Sequence, residues 1–280
     1  MSAGAARRGL NPGVAIGGTV VAVFVLVALF APLIAPHDPY AQNLMMRLKP
    51  PFWHEGWDPA HPLGTDQLGR DYLSRLIHGA RVSLIVGFAA VAISAVIGIT
   101  LGVIAGYAGG WTDTFISAVV TTRLSLPVVL VALAVVAIVG GSLTVVVLVI
   151  GGLLWDQFAV VARTATQQLR NAEFVGAARA MGAGHVHVLA REILPNIAAP
   201  LIVVATVEIA NAVLIEAALS FLGLGVQPPL PSWGLMLSEA RNFMFFNAWL
   251  ITLPGLCLFV LVLAVNLLGD GLRDARGARR

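Results

Sequence analysis

Six runs of apolar residues divide the chain, each of about the 20 residues that a helix needs to cross a bilayer. They fall at 13–35, 82–106, 113–138, 142–162, 197–222 and 246–269. Turn-forming stretches separate them: "APHDPY" after the first, "GYAGGWTD" between the second and third, "VGGS" between the third and fourth, and "GVQPPLPSWG" after the fifth. Only 11% of residues are charged, against about 25% in a soluble chain. The expected fold class is all-α: a polytopic membrane protein with six transmembrane helices in a lipid bilayer.

Six spans put both termini on one side. Counted for that topology, ten of the 17 Lys and Arg residues lie on the side of the termini. They are Arg7 and Arg8, then Arg163, Arg170, Arg179 and Arg191, then Arg273, Arg276, Arg279 and Arg280. Six lie opposite, and Arg123 falls inside the third run. Positive charge favours the cytoplasmic face, so both termini are expected there. The first run is too long for a signal-peptide core and reads as an uncleaved span. The net charge of +3 fits loop anchoring, and no basic stripe interleaved with aromatics suggests nucleic acid as a partner. The single cysteine, Cys257, can form no internal disulfide. The single lysine, Lys49, stands in "RLKPP", so the chain has no P-loop of the G-x-x-x-x-G-K-[ST] kind. No cofactor is expected in this chain; ATP and magnesium, if used, belong to a partner ATPase.

The long link 37–81 ends in "GRDYLSRLIHGAR". Tyr72, Leu73, Leu76, Ile77 and Ala80 share one helical face; Arg70, Asp71, Ser74, Arg75, His78 and Arg81 share the other. That pattern predicts a helix on the outer membrane surface, its polar face accessible at Ser74. In the second span Ala90, Ser94, Gly98, Gly102 and Gly106 recur at every fourth position, a face for close helix packing. The fifth span carries Glu208, Asn211 and Glu216. A carboxylate in mid-bilayer costs about 2.5–3.5 kcal/mol on insertion scales, so it should face protein or water. The structural reading, hydrogen bonds to neighbouring helices or a place near an interface, is preferred over a translocation path.

Residues 171–196, "NAEFVGAARAMGAGHVHVLAREILPN", are half polar and rich in Ala and Gly between two spans. Asn171 reads as an N-cap with Glu173 in the first turn. The helix should end near Gly182 or Gly184. Ala177, Ala178 and Met181 form a low, smooth patch suited to a groove on a partner. Pro195 and Pro200 fit the opening turns of the fifth span. His185 and His187 read as a solvated loop, and no catalytic constellation is present.

This segment resembles the "EAA" loop of binding-protein-dependent ABC importer permeases: "AARAMG" followed by "ILPN". The general motif's glutamate falls on Gly176; the peptide-transporter branch places an acidic residue three earlier, matched by Glu173. "HPLGTDQLGRD" (61–71), "ALSFLGLGVQPPLPSWG" (218–234) and "NLLGDGLRD" (266–274) are similar to the same branch. Together they resemble the second, C-type permease of the dipeptide/oligopeptide/nickel family, over nearly the whole chain. Departures fall in the third span, where Ala118 and Thr121 replace the family's Arg and Asp and Arg123 is extra, and at Trp155-Asp156, where the family has Trp-Pro.

The resemblance implies a type I ABC importer (MetI-like) permease fold, paired with a second homologous permease, two cytoplasmic ATPase subunits and an extracytoplasmic solute-binding protein. The implied location is a bacterial inner membrane. The implied coupling helix to the ATPase comprises Glu173, Ala177, Ala178, Arg179, Met181 and Gly182. Residues 1–80 then form an N-terminal span and outer loop, 81–270 the type-1 permease domain with its loop 163–195, and 271–280 a cytoplasmic tail. The implied cargo is peptide; nickel chelate, glutathione or another small solute are alternatives. The rival classes are an ion-coupled secondary transporter, for which Glu208 or Glu216 would be the coupling site, and an intramembrane enzyme.

Overall fold

An α-helix satisfies its backbone polar groups within itself, as hydrocarbon demands. The structure, a computed structural model, describes residues 12–277; no named strand occurs among them, and Thr65 and Asp71 form one isolated bridge. The basic residues Arg7, Arg8, Arg279 and Arg280, on which part of the charge asymmetry rests, lie outside the described residues. Helix α1 covers Pro12–Leu29 and α2 covers Tyr72–Ala108. Helices α3 (Gly110–Leu124) and α4 (Val128–Val139) follow, then α5 (Leu143–Leu153) and α6 (Trp155–Leu169). The remaining principal helices are α7 (Glu173–Ala180), α8 (Leu194–Phe221), α9 (Trp233–Ala240) and α10 (Trp249–Gly277).

Among the described residues, five helical segments are long and apolar enough to cross a membrane, and α3 with α4 makes a sixth only as a pair bent by 82°. The expected third span is therefore broken. The break falls at Ser125-Leu126-Pro127: Pro127 has extended ψ, and a proline biases the residue before it away from helix. The fifth span begins earlier than expected. His185–Phe221 runs as one apolar helical segment, with a π-helical turn over Val188–Ile193. Pro200 lies inside the helix, while Pro195 stands in the first turn of α8, as expected, directly after the π-helical turn. The Pro195 ring would meet the carbonyl four residues back in a regular turn, and the widened turn lies just ahead of it.

Helix α2 is the spine. Its small-residue stripe receives α5 and α6, as the period-four pattern predicts. Ser94 Oγ donates to the Gly151 carbonyl at 2.7 Å. A Cβ on Gly98 would lie 2.6 Å from the Phe158 Cβ, and one on Gly106 would lie 2.6 Å from the Arg163 carbonyl oxygen. A second apolar cluster joins α1, the start of α2, α8, α9 and α10 through Ala28, Tyr72, Val213, Trp233 and Leu261.

The stretch 70–81 is helical from Tyr72 and leads into the second span, as expected, but its expected place on the outer surface with an accessible polar face is overturned. From Tyr72 the stretch is the first turns of the 37-residue α2, and most of both faces is buried: Tyr72, Leu76 and Ala80 on one, Arg70, Asp71, Ser74 and Arg75 on the other, with His78 half-buried and Arg81 exposed. Ser74, expected to be accessible, has no exposed surface. The buried part of the polar face is closed by protein. Arg70 Nε donates to Asp66 at 2.6 Å, and Arg70 and Arg75 both donate to Glu239 of α9, at 3.0 Å and 2.7 Å. Two cations and two carboxylates therefore balance in one buried network, which an isolated charge there could not do without a large desolvation penalty.

Candidate coupling segment and buried polar clusters

The segment that is odd in sequence stands at the end of α2 opposite the 36–71 loop. Ala172, not Asn171, occupies the N-cap of α7, with extended backbone and no side-chain cap. Glu173 still lies in the first turn, where its charge meets the helix dipole favourably. Val175 and Ala178 are buried, and Val175 joins the main core. Glu173, Gly176, Ala177, Arg179 and Met181 are exposed, Met181 at 83%. The smooth patch is thus Gly176, Ala177 and Met181; Ala178 faces inward and anchors the helix instead. Nothing stands within 4 Å of where a Gly176 Cβ would lie.

The C-terminus of α7 is closed by a Schellman motif. The Ala183 N–H donates to the Ala178 carbonyl at 3.0 Å and the Gly182 N–H to the Arg179 carbonyl at 2.9 Å. Gly182 adopts φ +89°, the left-handed conformation that glycine enters without penalty. The sequence placed this turn correctly. It did not place His185 and His187, which open the helical segment leading into α8 rather than a loop. Tyr107, near the end of α2, connects these pieces. Its hydroxyl pairs with His185 Nδ1 at 2.9 Å, and the Arg179 guanidinium lies 5.1 Å from its ring centroid. Nearby, Arg163 clamps Asp113 with two hydrogen bonds, the Nη2 to Oδ2 one at 2.8 Å. Gln167 donates to the same carboxylate at 3.1 Å, tying α3 to α6.

The intramembrane polar residues fall into two separate clusters. Glu216 Oε1 accepts from Ser220 Oγ at 2.7 Å and from Ser232 Oγ at 2.9 Å. This carboxyl fastens α8 to the N-terminus of α9, as the structural reading expects. Glu208 is also buried, and Asp156, Arg123 and the exposed Asn211 lie in its neighbourhood. Arg123 Nη1 lies 3.8 Å from Asp156 Oδ2, and its Nη2 donates to the Leu153 carbonyl. The two charged departures from the family pattern, Arg123 and Asp156, are therefore partners. Sequence reading named Arg123 but missed Asp156 as its counter-ion. The signal was available, since an arginine inside one apolar run calls for a carboxylate from another.

An all-helical bundle of bent and straight apolar spans, with a small-residue helix standing at one end, has the architecture of an integral membrane protein. The sequence profile described as "Binding-protein-dependent transport system inner membrane component" matches residues 98–279, and that described as "N-terminal TM domain of oligopeptide transport permease C" matches residues 10–51. The chain belongs to the binding-protein-dependent ABC transport permease family and is a multi-pass inner-membrane component. It is 45% identical to the dipeptide transport system permease protein DppC of Haemophilus influenzae, over 95% of this chain and 90% of that one. It is 46% identical to the di/tripeptide transport system permease protein DppC of Pseudomonas aeruginosa, over 93% and 86%. It is 40% identical to the glutathione transport system permease protein GsiD of Pectobacterium atrosepticum, over 96% and 88%. In fold it is similar to a chain of the MetNI methionine ABC transporter, with a TM-score of 0.59 at 20% identity, covering 74% of this chain and 97% of that one.

Proposed function

We propose that this chain is one of two permeases through which di- and oligopeptides enter the cell. An extracytoplasmic binding protein delivers the cargo, and two cytoplasmic ATPase subunits bind ATP and magnesium and supply the energy. The second permease is a distinct homologue. Both termini face the cytoplasm, residues 81–270 form the type-1 permease domain, and 271–280 form a tail. The relatives named for dipeptide transport support the peptide cargo; the glutathione permease at 40% identity supports glutathione, itself a small peptide-like solute, as the second reading.

One observation carries the mechanism: α7 is anchored by buried Val175 and Ala178, yet offers an exposed small-residue face with nothing above Gly176. This is the shape of a helix that seats in a partner's groove. Closure of the ATPase pair pushes on Ala177, Arg179 and Met181. The push passes through the Schellman turn at Gly182 into α8, and through Tyr107 into α2. The cavity between the permeases then opens outward.

Gly182→Asp and Ala177→Glu test this. At φ +89° any β-carbon costs about 1 kcal/mol or more, and a carboxylate at a helix C-terminus opposes the dipole. Both changes lie outside the spans, so insertion should be normal. Reconstituted complexes should show weaker ATPase docking, or hydrolysis no longer stimulated by the binding protein, together with reduced uptake. Normal docking and normal coupled uptake in both variants would remove α7 from the coupling role. Uptake assays with dipeptide and with glutathione then separate the two cargoes.

A further inference from the structure

We propose that His37, His61 and Asp71, at the end of the bundle opposite α7, form a binding site for a divalent transition-metal ion. One ligand atom from each lies within 4.8 Å of the other two. His61 Nδ1 is 2.8 Å from Asp71 Oδ1, and His37 Nδ1 is 3.7 Å from the same oxygen. The two imidazole centroids are 4.7 Å apart. In a tetrahedral site with bonds of about 2.0–2.1 Å, ligand atoms stand about 3.3 Å from one another. The observed separations straddle that value, so small side-chain rotations suffice.

Three different parts of the chain hold the ligands in place. Asp71 is the N-cap of α2: its Oδ2 accepts from the Ser74 N–H at 2.8 Å, which leaves Oδ1 to face the histidines. His37, just beyond the single turn Ala31–Ile34, is fixed by its backbone N–H donating to Ser74 Oγ at 3.0 Å. His61 opens the 61–71 loop motif. The Asp71 side chain is 1% exposed, and its ion-pair partners among the described residues are these two histidines. Arg70 and Arg75 are engaged by Asp66 and Glu239 instead. A buried carboxylate needs charge compensation, and a bound cation would supply it.

The donor set selects the metal. Two imidazoles and one carboxylate suit zinc, nickel or copper, whereas calcium and magnesium favour oxygen ligands. Three protein ligands leave a coordination position free for water or a solute donor. His37, 39% exposed at its side chain, marks the open side. The ion would staple the end of the first span, the loop and the start of α2 together.

The test uses the assembled transporter, purified without a polyhistidine tag and stripped with chelator. Cobalt(II) alone is titrated by its visible spectrum and then displaced with zinc. Wild type should bind one more equivalent per permease than the His37→Ala/His61→Ala double variant. Each single variant should bind that equivalent about tenfold or more weakly, as losing even a supporting group around a metal costs that much. His78→Ala, outside the trio, should bind as wild type does. Metal should raise the melting temperature of wild type and leave that of the double variant unchanged. His37→Ala removes a half-exposed side chain and serves as the variant least prone to misfold. Equal cobalt stoichiometry and affinity in wild type and the double variant would overturn the proposal, leaving His61–Asp71 as a hydrogen-bonded latch only.

Discussion

A carboxyl group without exposed surface is tolerable inside a membrane protein only when donors reach it. Glu216 has no exposed surface, and two serine hydroxyls point at its Oε1. Ser220 Oγ also accepts from the Val226 N–H at 3.1 Å, so the carboxyl anchors the turn leading to α9 as well. Glu216→Gln keeps an acceptor oxygen and should preserve most transport. Glu216→Leu strands two buried hydroxyls at a cost of about 1–3 kcal/mol each. It should lower the yield and melting temperature of the assembled complex. Loss of transport by Glu216→Gln in a fully assembled complex would contradict this structural role. The sequence showed that Glu216 needed a partner but could not say which, because Ser232 lies on another helix. The same blindness misplaced Arg75. Its amphipathic pattern reads as a solvent face, yet its partner Glu239 is 164 residues away, and periodicity within one helix carries no record of a distant counter-charge.

At the scale of the element, α2 shows what sequence pattern records well. The recurrence of Ala90, Ser94, Gly98, Gly102 and Gly106 encodes which face meets α5 and α6, because only small residues let helix backbones touch. Gly98→Val would drive a side chain into the Phe158 Cβ and the Trp155 carbonyl. Overpacking of this kind costs about 1–3 kcal/mol or more. The variant should melt at lower temperature in detergent and assemble poorly, whereas Gly176→Ala, with open space above it, should melt as wild type or slightly higher. Equal melting of Gly98→Val and wild type would mean that α6 can move away at no cost. Helix ends were less legible. Gly182 was readable because a left-handed stop needs glycine, while the start of the helix was not: Ala172 caps α7 without any side-chain bond, so Asn171 offered a signal that the fold does not use. The break between α3 and α4 was marked by Thr121, Thr122, Arg123 and Ser125 just ahead of Pro127, but the apolar runs on either side, each too short to span alone, read together as one span.

Across the whole molecule, α2 reaches from one end to the other. A 37-residue helix is about 55 Å long, well beyond the hydrocarbon core of about 30 Å. Its start is locked by the Asp66–Arg70–Arg75–Glu239 network, and near its other end Tyr107 touches Arg179 of α7 and His185 at the head of the fifth span. If α7 takes the stroke of the ATPase, Tyr107 is where that stroke divides between α2 and α8. A half-exposed cation–π contact is worth about 0.5–1 kcal/mol, and the hydrogen bond to His185 about 1 kcal/mol. Tyr107→Phe keeps the ring and loses the hydroxyl; Tyr107→Ala loses both. Because about 1.4 kcal/mol is tenfold in an equilibrium, Tyr107→Ala should lower uptake per ATP hydrolysed by up to about tenfold, and Tyr107→Phe by a few-fold. Docking of the ATPase should survive in both, since the exposed face of α7 is untouched. The measurement is the ratio of uptake to phosphate release in proteoliposomes. An unchanged ratio in Tyr107→Ala, with the complex intact, would show that α2 is not on the path and that α8 carries the movement alone.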